Sequence, residues 1–273
     1  MSGSLKRIVT AFGFWMALFA WPSGGWGQPA SPPGGSSSCP GVSASDRLEN
    51  VTPEGDLVLA AGGTARLAGI RLPDAPYRDQ ALAWLRARTG LPLIVLGSEQ
   101  RDRWNRLSVR ITHKGESASL DLAHGLVESG LAVVDPGVSD TFCQPELLAL
   151  EETARERHLG VWADDGYNPI HAEHLAHLRE RVGRFVLVEG RIRSVGERSQ
   201  RTYLNFGEHW TDDFTIIIPR RTWTLMAGRG LSAAALKGQR IRARGILQSW
   251  QGTALTILIP DMIERLEGTR RPR

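Results

Sequence analysis

The stretch EGDLVLAAGGTARLAGIRLPD, residues 54–74, decides how this chain folds. On either side of Gly62-Gly63, Asp56–Ala61 and Thr64–Ile70 alternate in the way of strands with one buried face. The paired glycines supply the positive φ that a tight hairpin turn demands. Further along, Pro76–Arg88 carries Ala81, Leu82, Trp84 and Leu85 at helical spacing and stops at Gly90. Leu93–Leu96 and Leu107–Thr112 read as strands. Leu120–Ser129, closed by Gly130, and Pro145–His158, closed by Gly160, read as helices with glycine stops. Strands, a helix, strands and two helices predict an α+β, mainly β, barrel with its helices packed outside.

Beyond this barrel, Asn168–Arg181 places Leu175, Leu178 and Val182 at helical spacing and reads as an amphipathic connecting helix. On such a helix His171, His174 and His177 fan over about 120°, so two of them are within reach of one metal, but a packed or solvated linker helix is the favoured reading. Phe185–Val195, Thr202–Phe206, Phe214–Ile218, Arg240–Gln248 and Ala254–Ile259 make five β runs. A helix is expected at Thr222–Ala227 or Ser232–Leu236. Five strands with a helix after the third predict a second, OB-like barrel. Tyr203, Phe206, Trp210, Phe214 and Trp250 are either its core or a base-stacking face. His124 shares a helix face with Leu120 and Val127 and reads as packed.

Toward the N-terminus, Lys6 and Arg7 precede an apolar run from Ile8 to Trp21 and the small-x-small sequence Gly25-Trp26-Gly27, the pattern of a secretory signal peptide. The run falls short of the roughly 20 residues that span a bilayer, and an uncleaved anchor is the alternative. The expected organisation is a signal peptide (1–27), a Pro/Gly/Ser-rich spacer (28–38), a first domain (39–167), a linker helix (168–181), a second domain (182–267) and a basic tail (268–273). A periplasmic or secreted location follows, with no further membrane span. In an oxidising compartment the two cysteines, Cys39 and Cys143, are expected to pair. Closing a loop of that length removes on the order of 4–5 kcal/mol of unfolded-state entropy. The balance across 273 residues, 41% hydrophobic and 23% Asp, Glu, Lys or Arg, excludes wholesale disorder and a polytopic membrane protein. That charge is uneven. Residues 40–167 hold 13 basic and 19 acidic side chains, residues 182–267 hold 13 and 8, and Arg270, Arg271 and Arg273 follow. The second domain is therefore the expected seat of salt-dependent nucleic-acid binding, unless the opposite charges serve to dock the two domains on each other.

Five short motifs resemble the thermonuclease (staphylococcal-nuclease-like) family over residues 50–163. They are Glu54-Gly55-Asp56, Arg66 through Asp74, Asp102-Arg103-Trp104-Asn105-Arg106-Leu107, Leu126 through Ala132, and Leu159-Gly160-Val161-Trp162. The resemblance implies an OB barrel with three helices and calcium-dependent cleavage of DNA and RNA that leaves 3′-phosphate ends. It implies Arg66 and Arg106 as the arginines that neutralise charge on the transition state, Asp56 as a Ca²⁺ ligand, and Asp74 as general base or second ligand. The chain beyond residue 180 more weakly resembles OB-type nucleic-acid-binding modules.

Three positions depart from the family pattern. Arg71 stands where the second metal-binding aspartate belongs, Leu72 replaces its neighbouring threonine, and Asp74 replaces the catalytic glutamate. A guanidinium about 5 Å from a divalent cation, at an effective dielectric near 20, repels it by on the order of 6 kcal/mol. Arg71 paired with Asp74 or Asp56 would turn the metal site into a structural ion-pair cluster. Asp56 also suits a hairpin entry, and Asp74 a helix cap. Two readings of function result. One is an exported phosphodiesterase with a damaged calcium site; the other is a catalytically inactive two-barrel binding or scaffolding protein of the periplasm.

Overall fold

The computed structural model describes residues 41–114, 119–137, 142–208 and 212–266, all of which fall within one compact unit, Ser37–Arg273. The signal-peptide, spacer and tail expectations, and those on Cys39 and Trp210, lie outside the described residues.

The first half runs β1 (Val42–Val51), β2 (Leu57–Leu59), β3 (Thr64–Leu67), β4 (Ile70–Arg71), α1 (Tyr77–Arg86), β5 (Pro92–Arg101), β6 (Arg106–Lys114), β7 (Ser119–Asp121), α2 (Leu122–Glu128), β8 (Val133–Val134) and α3 (Glu146–Glu156). Its sheet is ordered β3-β2-β1-β5-β6-β7, and a parallel pairing of β3 with β6 closes five strands into an OB-like barrel. Gly62 and Gly63, at φ +90° and +120°, turn β2 back onto β3, as the alternation predicts. Leu48, Leu57, Ala65, Ile111, Leu122 and Leu126 are fully buried in the barrel core. α1 seats Ala81, Leu82 and Leu85 against it. α2 begins where the Asp121 carboxylate accepts hydrogen bonds from the backbone N–H groups of Ala123 and His124. Gly130 and Gly160 touch backbone to backbone: a Cβ on Gly130 would stand 2.1 Å from the Leu159 oxygen. No side chain fits there, so both motifs need their glycine.

The second half runs β9 (Ile170–His171), α4 (Leu175–Glu180), β10 (Phe185–Arg191), β11 (Ser194–Glu197), β12 (Arg201–Asn205), β13 (Phe214–Pro219), α5 (Arg220–Gly228), α6 (Ala233–Leu236), β14 (Arg240–Ser249), β15 (Thr253–Thr256) and β16 (Ile263–Arg265). β10 and β11 are two halves of one bent stretch. β10 pairs with β14 and β11 with β12, while the bend keeps both neighbours through Ile192 N–H to Gln239 and Arg193 N–H to Asn205. With β13 parallel to β15 and antiparallel to β12, the strands repeat the pairing scheme of the first barrel. Both expected helix positions are occupied, by α5 and α6.

The linker expectation needs correction. Only Leu175–Glu180 is helical; Ile170-His171 is a strand paired in parallel with Val188-Glu189, and His174 precedes the helix. Pairing with β10 satisfies this segment's backbone and buries Ile170 and Ala172, which a helix would leave on a more exposed face. The three histidines therefore share no helical face, and among the described residues no group of three His, Cys, Asp or Glu is placed to hold a metal.

Charges of opposite sign join the two barrels. Arg244 of β14 is fully buried and lies 2.8 Å from Glu151 of α3, itself 1% exposed. Between them they clasp one peptide: Glu151 accepts the Val134 N–H at 2.6 Å, and Arg244 donates to the Val134 carbonyl at 2.9 Å. Arg244 also pairs with Glu264, and Arg242 bonds Glu152 at 2.7 Å and Glu189 at 2.8 Å. Burial works against the Arg244 charge, and the Glu151 and Glu264 carboxylates outweigh it, leaving its pKa raised. Beside this network Val133, Ala154, Val161, Trp162 and Leu187 form a small apolar cluster drawn from both halves.

Candidate functional site

The parallel register of β3 and β6, with Thr64 opposite Arg106, sets Arg66 and Arg106 on neighbouring strands. Asp56 enters from the turn ahead of β2, where its N–H is held by the Thr52 hydroxyl. The three side chains converge. Arg106 Nη1 donates to both Asp56 oxygens, at 3.1 and 3.3 Å, and Arg66 Nη2 lies 3.5 Å from Oδ1.

Arg106 is fixed from its other side by Asp102, which takes Nε and Nη2 at 2.9 and 2.7 Å. Asp102 also accepts the N–H groups of Trp104 and Arg106, closing a turn that places Asn105 at φ +63°. The Arg106 guanidinium holds the Asp102 carboxyl down at about 2, with the two backbone N–H groups adding to its effect. Asp102 in turn raises the pKa of Arg106, helped by Asp56. Arg106 is thus saturated and only 11% exposed, whereas Arg66, at 51%, offers its guanidinium to solvent.

A cleft of about 250 Å³ opens beside Arg66, with Arg71, Leu72, Arg78, Ser108 and Asp135 in its walls. Arg71 binds neither Asp56 nor Asp74. Its Nε and Nη2 both reach Asp135 Oδ2, at 3.1 and 2.7 Å, and its guanidinium lies 4.9 Å from the Phe185 ring of the second barrel. Leu72 folds over Gly55, where a Cβ would meet its Cδ1 at 2.3 Å.

Asp74 does not join Asp56, Arg66 and Arg106. Its carboxylate reaches across to Arg184 Nη1 at 2.9 Å and lies 3.9 Å from Arg78, and its N–H donates to the Tyr167 hydroxyl. It does not cap α1, whose N-cap is Pro76. Tyr167 is drawn in by its ring contact with Tyr77, and burial raises its pKa.

These residues do not fit a resident Ca²⁺. A hard cation of this size takes six to eight oxygens. Here the expected second ligand position is a guanidinium, its neighbour Leu72 is apolar, Asp74 is committed elsewhere, and the charge of Asp56 is met by two arginines.

The other singled-out side chains fall outside this cleft. His124 pairs with Glu146 at 3.1 Å. Phe214 is buried against Phe206, Tyr203 is half-buried, and Trp250 is exposed on the β14–β15 turn. Cys143 is not a free thiol. Three partners that shape the site were not foreseen. Asp102 carried a signal, since an aspartate four residues before an arginine across a Trp-Asn turn is a local pattern. Asp135 and Arg184 carried none, because they meet Arg71 and Asp74 from 64 and 110 residues away.

Residues 56–164 match the family model of the staphylococcal nuclease homologues. No curated protein matches the chain. Residues 56–164, with the closed barrel they contribute to and the converging Asp56, Arg66 and Arg106, are therefore a staphylococcal-nuclease-like domain.

Proposed function

We propose that this is an exported protein that binds single-stranded nucleic acid without depending on calcium, its nuclease-like barrel kept as a phosphodiester grip. The observation that carries this reading is the Asp74–Arg184 ion pair at 2.9 Å. It turns the carboxylate expected to act as base toward the second barrel, while Arg71 fills the ligand position with positive charge. What remains suits binding. Arg66 offers an exposed guanidinium at the mouth of the cleft, and Asp56 and Asp102 hold Arg106 beside it in a fixed geometry.

Export rests on the basic start and apolar run of residues 6–27, and an oxidising compartment favours pairing of the two cysteines, Cys39 and Cys143. The charge contrast between the halves needs a narrower interpretation than net charge suggests. Arg184, Arg242 and Arg244 answer carboxylates of the first barrel, so part of the second barrel's excess is spent on docking.

The test is anisotropy of a fluorescein-labelled single-stranded oligonucleotide, titrated with the mature chain in EDTA and again with Ca²⁺. Equal affinity in both, weakened by Arg66→Gln, is the expected result. Binding that requires Ca²⁺, or no binding at low salt, overturns the proposal.

A further inference from the structure

Most arginines described above have a carboxylate partner: Arg66, Arg71, Arg106, Arg184, Arg242 and Arg244 are all paired. The turn that links β11 to β12 is different. Arg198, Arg201 and Arg220 gather around residues 198–201. Arg198 donates to the Glu197 carbonyl and Arg220 to the Ser199 carbonyl. The Arg220 N–H meets Gln200, and the Arg198 N–H meets Arg201. Among the described residues none of these three guanidiniums has a carboxylate within ion-pair distance. The nearest acid in sequence, Glu197, accepts the Trp223 indole N–H at 3.0 Å.

The Arg201 guanidinium instead lies 5.7 Å from the ring centroid of Trp250, which is 42% exposed on the β14–β15 turn. The alternation of β12 buries Thr202 and Leu204 and turns Arg201 and Tyr203 outward. A tight turn, with Gln251 at φ +37° and Gly252 at +94°, holds Trp250 out from the barrel. Neither an exposed indole nor three exposed guanidiniums without a carboxylate is explained by packing.

We propose that this rim of the second barrel is a binding site for single-stranded nucleic acid, with phosphates on Arg198, Arg201 and Arg220 and a base stacked on Trp250. The chemistry selects that ligand. Three unpaired guanidiniums call for a polyanion, and a half-exposed indole beside them calls for one whose flat π faces are free. A duplex keeps its bases stacked inside, and an anionic polysaccharide has none. The site extends the proposed function to the second barrel, and its test is separable, because Arg66→Gln probes the cleft and these variants do not.

A labelled oligothymidylate, its duplex with oligoadenylate, and heparin as competitor are measured against the full mature chain. Trp250→Ala is expected to weaken oligothymidylate binding at least about fivefold, with Trp250→Phe recovering most of it and duplex affinity unchanged. Neutralising all three arginines to Gln is expected to reduce the slope of log affinity against log salt by about 2. The altered side chains are exposed, so an unchanged thermal midpoint verifies the fold of each variant. Wild-type affinity in Trp250→Ala overturns the proposal. So does an equal loss of oligothymidylate, duplex and heparin binding, which would mark a plain anion patch. Loss confined to Arg66→Gln would leave the cleft as the binding site and remove the rim.

Discussion

Replacing Arg244 by Met tests how the two barrels are held. Arg244 is fully buried, and its removal leaves Glu151 without its cation, Glu264 with only Arg242 at 3.8 Å, and the Val134 carbonyl without its donor. Breaking a buried pair from one side costs about 3–5 kcal/mol, because the orphaned charge stays desolvated. In a cooperative unit of this size each kcal/mol moves the midpoint by about 2–4 °C, so the melting temperature should fall by roughly 6–20 °C. Adding Glu151→Leu removes the orphaned charge but also takes the acceptor from the Val134 N–H, so the double variant should regain only part of the loss. Differential scanning calorimetry with urea melts followed by near-UV circular dichroism reads both effects. One transition for both barrels is expected throughout. A shift of less than about 0.5 kcal/mol in Arg244→Met, the range of ordinary surface substitutions, would refute the reasoning. Two separate transitions in the wild type would do the same.

Three further outcomes follow from the site. The Asp102 carboxyl, held at about 2, adds stability that is complete above its ordinary value of 3.8 and disappears as pH falls toward 2. Carbon-detected NMR should place its midpoint there, and Arg106→Gln should return it toward 3.8. Arg71→Asp with Asp74→Glu should create calorimetrically detectable Ca²⁺ binding absent from the wild type, and adding Arg184→Ala should strengthen it by freeing the residue-74 carboxylate. No heat of binding in the triple variant would refute the account of why calcium does not fit. Protein purified from the periplasm should carry the Cys39–Cys143 disulfide, and intact mass showing two free thiols would remove it.

The barrel was legible where burial and period coincide. The residue 54–74 hairpin, α1 and four of the five β runs of the second half fall where alternation and glycine punctuation put them, while the Ala254–Ile259 run is a strand only to Thr256. β1 was not foreseen, since only Leu48 and Val51 of its ten residues are buried and the rest is exposed or nearly so, Val42 and Ala44 included. A strand recruited mainly by backbone pairing to β2 and β5 leaves little hydrophobic pattern to read. The segment around His171 misled for the opposite reason: three leucine-spaced positions suggest a helix, yet an open strand edge on β10 captured its first half. At the site, residue identities announced Asp56, Arg66 and Arg106. Which carboxylate each arginine chose was a long-range matter. Arg71 had local acids within a few residues and paired instead with Asp135, beneath a phenylalanine from the other barrel.

The central claim is that this nuclease-like barrel binds phosphodiesters without calcium-dependent hydrolysis. Its most direct test is a long incubation of the mature chain with end-labelled single-stranded DNA, in Ca²⁺ and in EDTA, resolved on a denaturing gel. The account predicts full-length DNA in both, with the same samples retaining a protein–DNA complex on a parallel native gel. Calcium-dependent accumulation of fragments with 3′-phosphate ends, abolished by Arg66→Gln, would contradict it.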